Sequence, residues 1–168
     1  MEIYNFICDK GILSEKHKKE LKEKRGFSEE TIQQFRFFSG GNYLLEYETE
    51  LNKSFTPDAL LAAGVMINTG KSPTFNPQLL EDKIIIPYIN EGQVSLLRPH
   101  KYGIKDVGIQ IYSASWGKNL IITEGEFKAV AAAQLGFDAI ALPGVGSFSG
   151  EHFPELVKLL NDHQVKDI

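Results

Sequence analysis

"NLIITEGEFKAVAAAQLGFDAIALPGVGSF", residues 119–148, decides the fold. Leu120, Ile121 and Ile122 make a short apolar run that reads as a buried strand. The run ends in Thr123, Glu124 and Gly125, and a helix-forming stretch, "EFKAVAAAQLG", follows at once and stops at Gly136. "DAIAL", residues 138–142, is a second strand, and "PGVGSF" is a glycine-rich turn. Farther on, "PELVKLLNDH" makes another helix and "VKDI" begins a third strand. Strands and helices alternating through short connections mean a parallel sheet covered by helices. Residues 119–123 and 138–142 are therefore expected to be parallel neighbours.

The strand ends by presenting a carboxylate where the next helix begins. Two readings of Glu124 stay open at this level. Helix starts favour acidic side chains, so Glu124 or Glu126 can serve only the backbone amides there. Alternatively Glu124 faces a ligand, because α/β proteins bind ligands at the carboxyl ends of parallel strands. Gly125 lets a ligand approach the backbone, and the helix start favours phosphate. Lys128 follows Glu124 by one helical turn. Gly144 and Gly146 make either a plain tight turn or a second point of close approach.

Working outward, "KIIIPYINEGQVSLLRPHK" reads as a β-hairpin about the glycine-containing turn "NEG". Its first run is apolar enough for a central strand, yet Pro87 points to an edge or a bulge. Arg98, His100 and Lys101 follow the second strand, with Tyr102 and Lys105 close behind. This basic and aromatic cluster is either a solvated strand end or a phosphate-contacting patch. Farther upstream, "ILSEKHKKELKEKRGFSEETIQQF" is two helices separated by a glycine stop at Gly26, with Ser14 and Ser28 as N-caps. Its charged face is solvated, or Lys22, Lys24 or Arg25 contacts nucleic acid. Residues 38–56 are expected to hold a hairpin or extended segment around "NYLLEYE". "TPDALLAAGVM" is a short helix opened by Thr56 and Pro57 and ended at Gly64. Residues 68–80 read as a loop, and "YSASWGK" as a link between two regions, with Trp116 in a packing role. The expected division is an α+β lobe over residues 1–115 and an α/β unit with a parallel sheet over 116–168.

Composition excludes several classes. The chain has 168 residues and a formal net charge of -4, so any nucleic-acid contact must come from a local basic patch. Cys8 is the only cysteine, which rules out an internal disulfide and a cysteine-rich zinc site. No apolar run reaches membrane-spanning length, and the first twenty residues lack the apolar core of a signal peptide. A reducing cytoplasm and no membrane contact are the expectations.

The stretch from Leu120 resembles the first half of a Toprim domain, the metal-binding module shared by bacterial-type primases, topoisomerases and related nucleases. Glu124 and Gly125 match its Glu-Gly signature after the first strand, and Gly144 and Gly146 fall in its second turn. Upstream, "ELKEKRGFSEETIQQF", "LLAAGV" and "DKIIIPYINEGQVSLLRPHK" follow the order found before the Toprim unit in phage and plasmid primases and primase-helicases. The form "TEGEFKA" is similar to Toprim-like domains of mobile-element replication proteins.

The resemblance implies a DNA primase-like nucleotidyltransferase that makes primers on single-stranded DNA from nucleotides with Mg²⁺ or Mn²⁺. It implies Glu124 as metal ligand or catalytic base, and a replicative helicase as a partner. Arg98, His100, Lys101, Lys128, Gly125, Gly144 and Gly146 are then the phosphate or nucleic-acid contacts. A non-catalytic binding module and a Toprim nuclease are the alternatives. Lys128 stands where cellular primases usually carry an aspartate. The family's Asp-x-Asp pair would fall after Ile168, so these residues alone are expected to bind divalent metal weakly and to synthesise no primer.

Overall fold

The computed structural model describes residues 2–70, 72–100, 111–142 and 150–168. The chain opens with α1 (Glu2–Lys10) and α2 (Glu15–Lys19), after which Glu20–Lys24 widens into a π-helical turn. Ser14 Oγ accepts from the His17 amide at 3.3 Å, as an N-cap should. Gly26, at φ +71°, ends the turn, and α3 (Glu29–Gln34) begins after Ser28, whose side chain accepts from the Thr31 amide. The two capped segments and the glycine stop match the sequence reading; the π-helical geometry was not expected.

Residues 38–54 depart from it. Only Phe38–Ser39 is extended, as β1; a 3₁₀ turn (Asn42–Tyr47) and α4 (Glu48–Ser54) follow. Leu44 and Leu51 are fully buried seven residues apart, a helical spacing that outweighs the strand propensity of "NYLLEYE". Next, α5 (Pro57–Ala62) is capped by Thr56 and ends near Gly64 at φ +65°, as expected. The expected loop, residues 68–80, instead takes in the last residue of β2 (Met66–Asn68), its antiparallel partner β3 (Pro73–Phe75), and then α6 (Pro77–Leu80).

The expected hairpin is β4 (Ile84–Asn90) with β5 (Gln93–Pro99), paired antiparallel. Glu91 and Gly92 both have positive φ, the two-residue turn whose twist matches the strands. The sheet order is β1-β4-β5, which makes β4 central. β1 reaches only Ile84 and Ile85, however, so Pro87 lies where β4 has become an edge, next to a register shift at Tyr88/Ile89.

The last stretch contains β6 (Tyr112–Ser115), β7 (Leu120–Glu124), α7 (Glu126–Gln134), β8 (Asp138–Leu142) and α8 (Phe153–Asp162). β7 and β8 are parallel from Leu120↔Asp138 to Glu124↔Leu142, as the alternation predicts. "YSAS" is a strand and not a link: β6 pairs antiparallel with β8, giving the order β6-β8-β7. An isolated parallel bridge joins Asn119 to Asp167; within "VKDI" the expected third strand is present only as this one bridge. The chain is thus an α/β protein with a mixed sheet.

Two compact units result. One takes residues up to Lys19 and from Arg36 through β5; the other takes Glu20–Phe35 and the chain from β6 onward. The division differs from the expected boundary at 115/116, because β6 completes the second sheet and α3 clusters with that unit. The first unit's core gathers Ile3 and Ile7 of α1 with Phe38, Leu44, Leu51, Leu60, Ile85 and Leu97. In the second, Leu156 and Leu160 of α8 pack on Leu120, Ile122 and Ile140. By alternation, the small, buried Ala139 and Ala141 lie on the other sheet face, and α7 packs across β6, β7 and β8. Each fully buried aliphatic side chain here contributes about 1.5–3 kcal/mol of transfer free energy.

Candidate nucleic-acid and metal site

The strand–helix junction is built by three constraints. Parallel pairing carries β7 out to Glu124 level with Leu142, and the Gly125 amide donates to the Leu142 carbonyl at 3.2 Å. Gly125 then turns the chain at φ 80° and ψ 146°, a conformation open essentially to glycine, and heads α7. Thr123 Oγ1 donates to the Ile140 carbonyl at 3.2 Å, tying the strand end to its neighbour. The Glu124 side chain is thereby held at the carboxyl end of the sheet, 52% exposed, with Lys128 Nζ 3.7 Å from Oε2. Glu126 is buried in the first turn of α7.

The sequence-predicted residues divide accordingly. Glu124, Gly125 and Lys128 come together at this junction. Arg98 and His100 belong to the first unit. Arg98 donates through Nη1 to the Tyr88 hydroxyl at 3.0 Å, and the His100 amide donates to the Ile84 carbonyl at 2.7 Å. Both side chains are half-buried at the end of β5. Lys101, Tyr102, Lys105, Gly144 and Gly146 lie outside the described residues. Trp116 packs in the α8 core cluster and stacks flat on His163, ring centroids 3.9 Å apart, which agrees with a packing role.

Among the described residues there is no group of three or more His, Cys, Asp or Glu side chains able to hold a metal ion. One exposed carboxylate already facing an ammonium does not by itself satisfy Mg²⁺, which needs near-octahedral oxygen ligation and gives up water reluctantly. The described donor set is therefore not a metal site, and no chemical step is assigned to a cation here.

Sequence reasoning overlooked two clusters. Around the start of α7, Phe127 packs edge-on against Phe27 at 5.9 Å, and the Arg25 guanidinium lies 4.8 Å over the Phe127 ring. Gln134, at the end of α7, reaches back to the same turn. Its Oε1 accepts from the Ser28 amide at 2.8 Å, and its Nε2 donates to the Gly26 carbonyl at 2.9 Å. An uncharged amide at the end of an alanine-rich helix was the available signal. In the first unit, buried His17 holds Nδ1 2.7 Å from Ser39 Oγ and Nε2 3.5 Å from Asp82 Oδ1. That composition suggests a nucleophile, but Ser39 is buried, donates to Ser14 Oγ and accepts from the Ser14 amide. The cluster pins α2 to β1 and is structural. The Lys16 ammonium beside Asp82, together with His17, holds that carboxyl below its usual range.

No family model and no curated protein sequence matches the chain. Solved structures do. The chain is similar in fold to the RNA polymerase domain of Mycobacterium tuberculosis primase DnaG, with a TM-score of 0.67 at 15% identity. That match covers 99% of this chain and 61% of that one. The same domain in complex with a double-stranded DNA oligomer bearing a 6-nucleotide overhang matches at 0.62 and 17% identity, over 94% of this chain and 57% of that one. A DnaG primase catalytic domain bound to ssDNA matches at 0.60 and 18% identity, also over 94% and 57%. The chain has a primase-like fold and spans about three-fifths of the length of these relatives. No helix among the described residues is long and apolar enough to cross a membrane.

Proposed function

We propose that this chain is part of a primase-like nucleotidyltransferase of DNA replication, acting in the cytoplasm on single-stranded DNA. The observation that carries the reading is the placement of Glu124 and Gly125 at the carboxyl end of parallel β7, inside a primase-like fold. Primer synthesis joins nucleotides by attack of a 3′-hydroxyl on an α-phosphate, so a protein must gather phosphates and offer a carboxylate near the reacting hydroxyl. Lys128 and Arg25 supply positive charge about the first turn of α7, where an anionic phosphate is favoured by the helix start as well. Arg98, His100 and Lys101 serve the nucleic-acid backbone from the first unit. Glu124 would be one carboxylate ligand if the whole protein bound Mg²⁺ or Mn²⁺, which would need further donors besides it and would supply neutralisation of phosphate charge. Gly144 and Gly146 remain proposed phosphate or nucleic-acid contacts, and a replicative helicase is the expected partner.

The test has two arms. Arg98→Ala should weaken binding of a fluorescent single-stranded oligodeoxynucleotide and lower the dependence of affinity on salt, since one phosphate contact on single strands contributes about 0.7 to the log–log slope. In the whole protein, Glu124→Gln should abolish primer synthesis on a single-stranded template while DNA binding and melting temperature hold. Synthesis at the parent rate would remove Glu124 from the chemistry. The Glu124–Lys128 ion pair favours a second reading, a non-catalytic single-strand-binding module. No primer synthesis by the whole parent protein, together with weakened DNA binding in Lys128→Ala, would support it.

A further inference from the structure

We infer that Gln134 is a positioning residue: its two-ended hydrogen bonding to the Gly26–Ser28 turn holds Arg25 over the first turn of α7, ready for a phosphate of the nucleic-acid or nucleotide ligand. The inference rests on the DNA-binding reading above. The amide of Gln134 uses its acceptor and a donor on backbone groups of one turn, across more than a hundred residues of sequence. The turn needs such an anchor. Gly26 sits at φ +71°, and Ser28 is the N-cap of α3, so its amide has no intrahelical acceptor and is met by Gln134 Oε1. With both backbone groups fixed, the residues on either side of Gly26 have little freedom. Phe27 goes edge-on to Phe127, and Arg25 lies over the same ring.

A guanidinium resting on an aromatic face keeps its edge N–H groups available for an anion, because stacking uses the plane and not the donors. Phe127 is adjacent to Lys128 and three residues after Glu124. Arg25 therefore brings a second cation to the helix turn that follows the candidate carboxylate. Left to itself, an arginine on a glycine turn would spread over many rotamers and lose affinity to ordering on binding. Gln134 removes that cost from the far end of the helix, without touching the ligand.

The test compares Arg25→Ala, Gln134→Ala, Gln134→Glu and the Arg25→Ala/Gln134→Ala double variant, with melting temperature followed alongside. Amide exchange at Ser28 should accelerate in Gln134→Ala and stay slow in Gln134→Glu, which keeps the acceptor. Binding of a single-stranded oligodeoxynucleotide at low salt should weaken roughly twofold to fivefold in Arg25→Ala, the range of one exposed charge contact. Gln134→Ala should follow it, both should lower the salt slope, and the double variant should be no weaker than Arg25→Ala. Unchanged Ser28 exchange in Gln134→Ala overturns the inference, as does an additive loss in the double variant. Parent-level binding by Arg25→Ala also overturns it; if Arg98→Ala still weakens binding, the DNA-binding reading survives.

Discussion

Lys128 Nζ lies 3.7 Å from Glu124 Oε2, across the junction where β7 becomes α7. Both side chains are more than half exposed, so solvent screens the pair and its contribution to stability is small. Lys128→Ala should change the unfolding free energy by less than about 1 kcal/mol. The same replacement frees the carboxylate from a competing cation. Mn²⁺ titrated into the variant, followed by electron paramagnetic resonance, should bind roughly twofold to fivefold more tightly than in the parent. Equal or weaker binding would mean that the ammonium does not compete for Glu124.

Gly125→Ala tests the junction's backbone. A Cβ at this position would meet nothing within 4 Å among the described residues, yet φ 80° with ψ 146° is a conformation that L side chains rarely adopt. Strain alone should cost about 1–3 kcal/mol and lower the melting temperature by several degrees. A melting temperature within about 1 °C of the parent would show that the turn relaxes without penalty.

Cys8 should be inert in the folded protein. Burial pushes its thiol up to about 12, opposed in part by the nearby Arg36 guanidinium. The thiolate is the reactive form, so a thiol reagent at neutral pH should label Cys8 slowly before denaturation and rapidly after it. Because the folded pKa is raised, this contribution to stability is intact below the ordinary thiol range and is lost as pH rises through it towards 12. Fast labelling of the native protein would contradict the burial.

Asp82 should give stability an acid limb. Its hydrogen bond from Lys16 holds the carboxyl low, and the charges of Lys16 and His17 add to that. A depressed pKa means that the contribution is present above the ordinary carboxylate range and disappears as pH falls through the lowered value. Asp82→Asn should therefore flatten part of the fall in urea midpoint on the acid side. The remainder belongs in part to Glu30, held low by its own backbone amide and by Ser28. An acid limb identical to the parent's would remove Asp82 from this role.

Much of the candidate site was legible because its signals are local. A strand end, a carboxylate, a glycine and a helix start occupy seven consecutive residues, and the caps at Ser28 and Thr56 each act within three residues. Gly26, Gly64 and Gly136 end their segments at positive φ, the conformation that glycine adopts without penalty. The stretch "NYLLEYE" misled because its aromatic and aliphatic residues suit a strand, whereas the burial of Leu44 and Leu51 in the first unit's core decides for helical turns.

By itself, the sequence determined the order of strands and helices from Leu120 onward, the β4–β5 hairpin and the presence of a carboxylate after β7. Each follows from hydrophobic period or turn chemistry over a few residues. Only the tertiary structure decided that "YSAS" pairs with β8, that Glu20–Phe35 joins the second unit, and that Gln134 grips the Gly26 turn more than a hundred residues away. Pairing partners and side-chain clamps depend on which surfaces meet in the folded chain, and the local pattern of a segment carries no record of that.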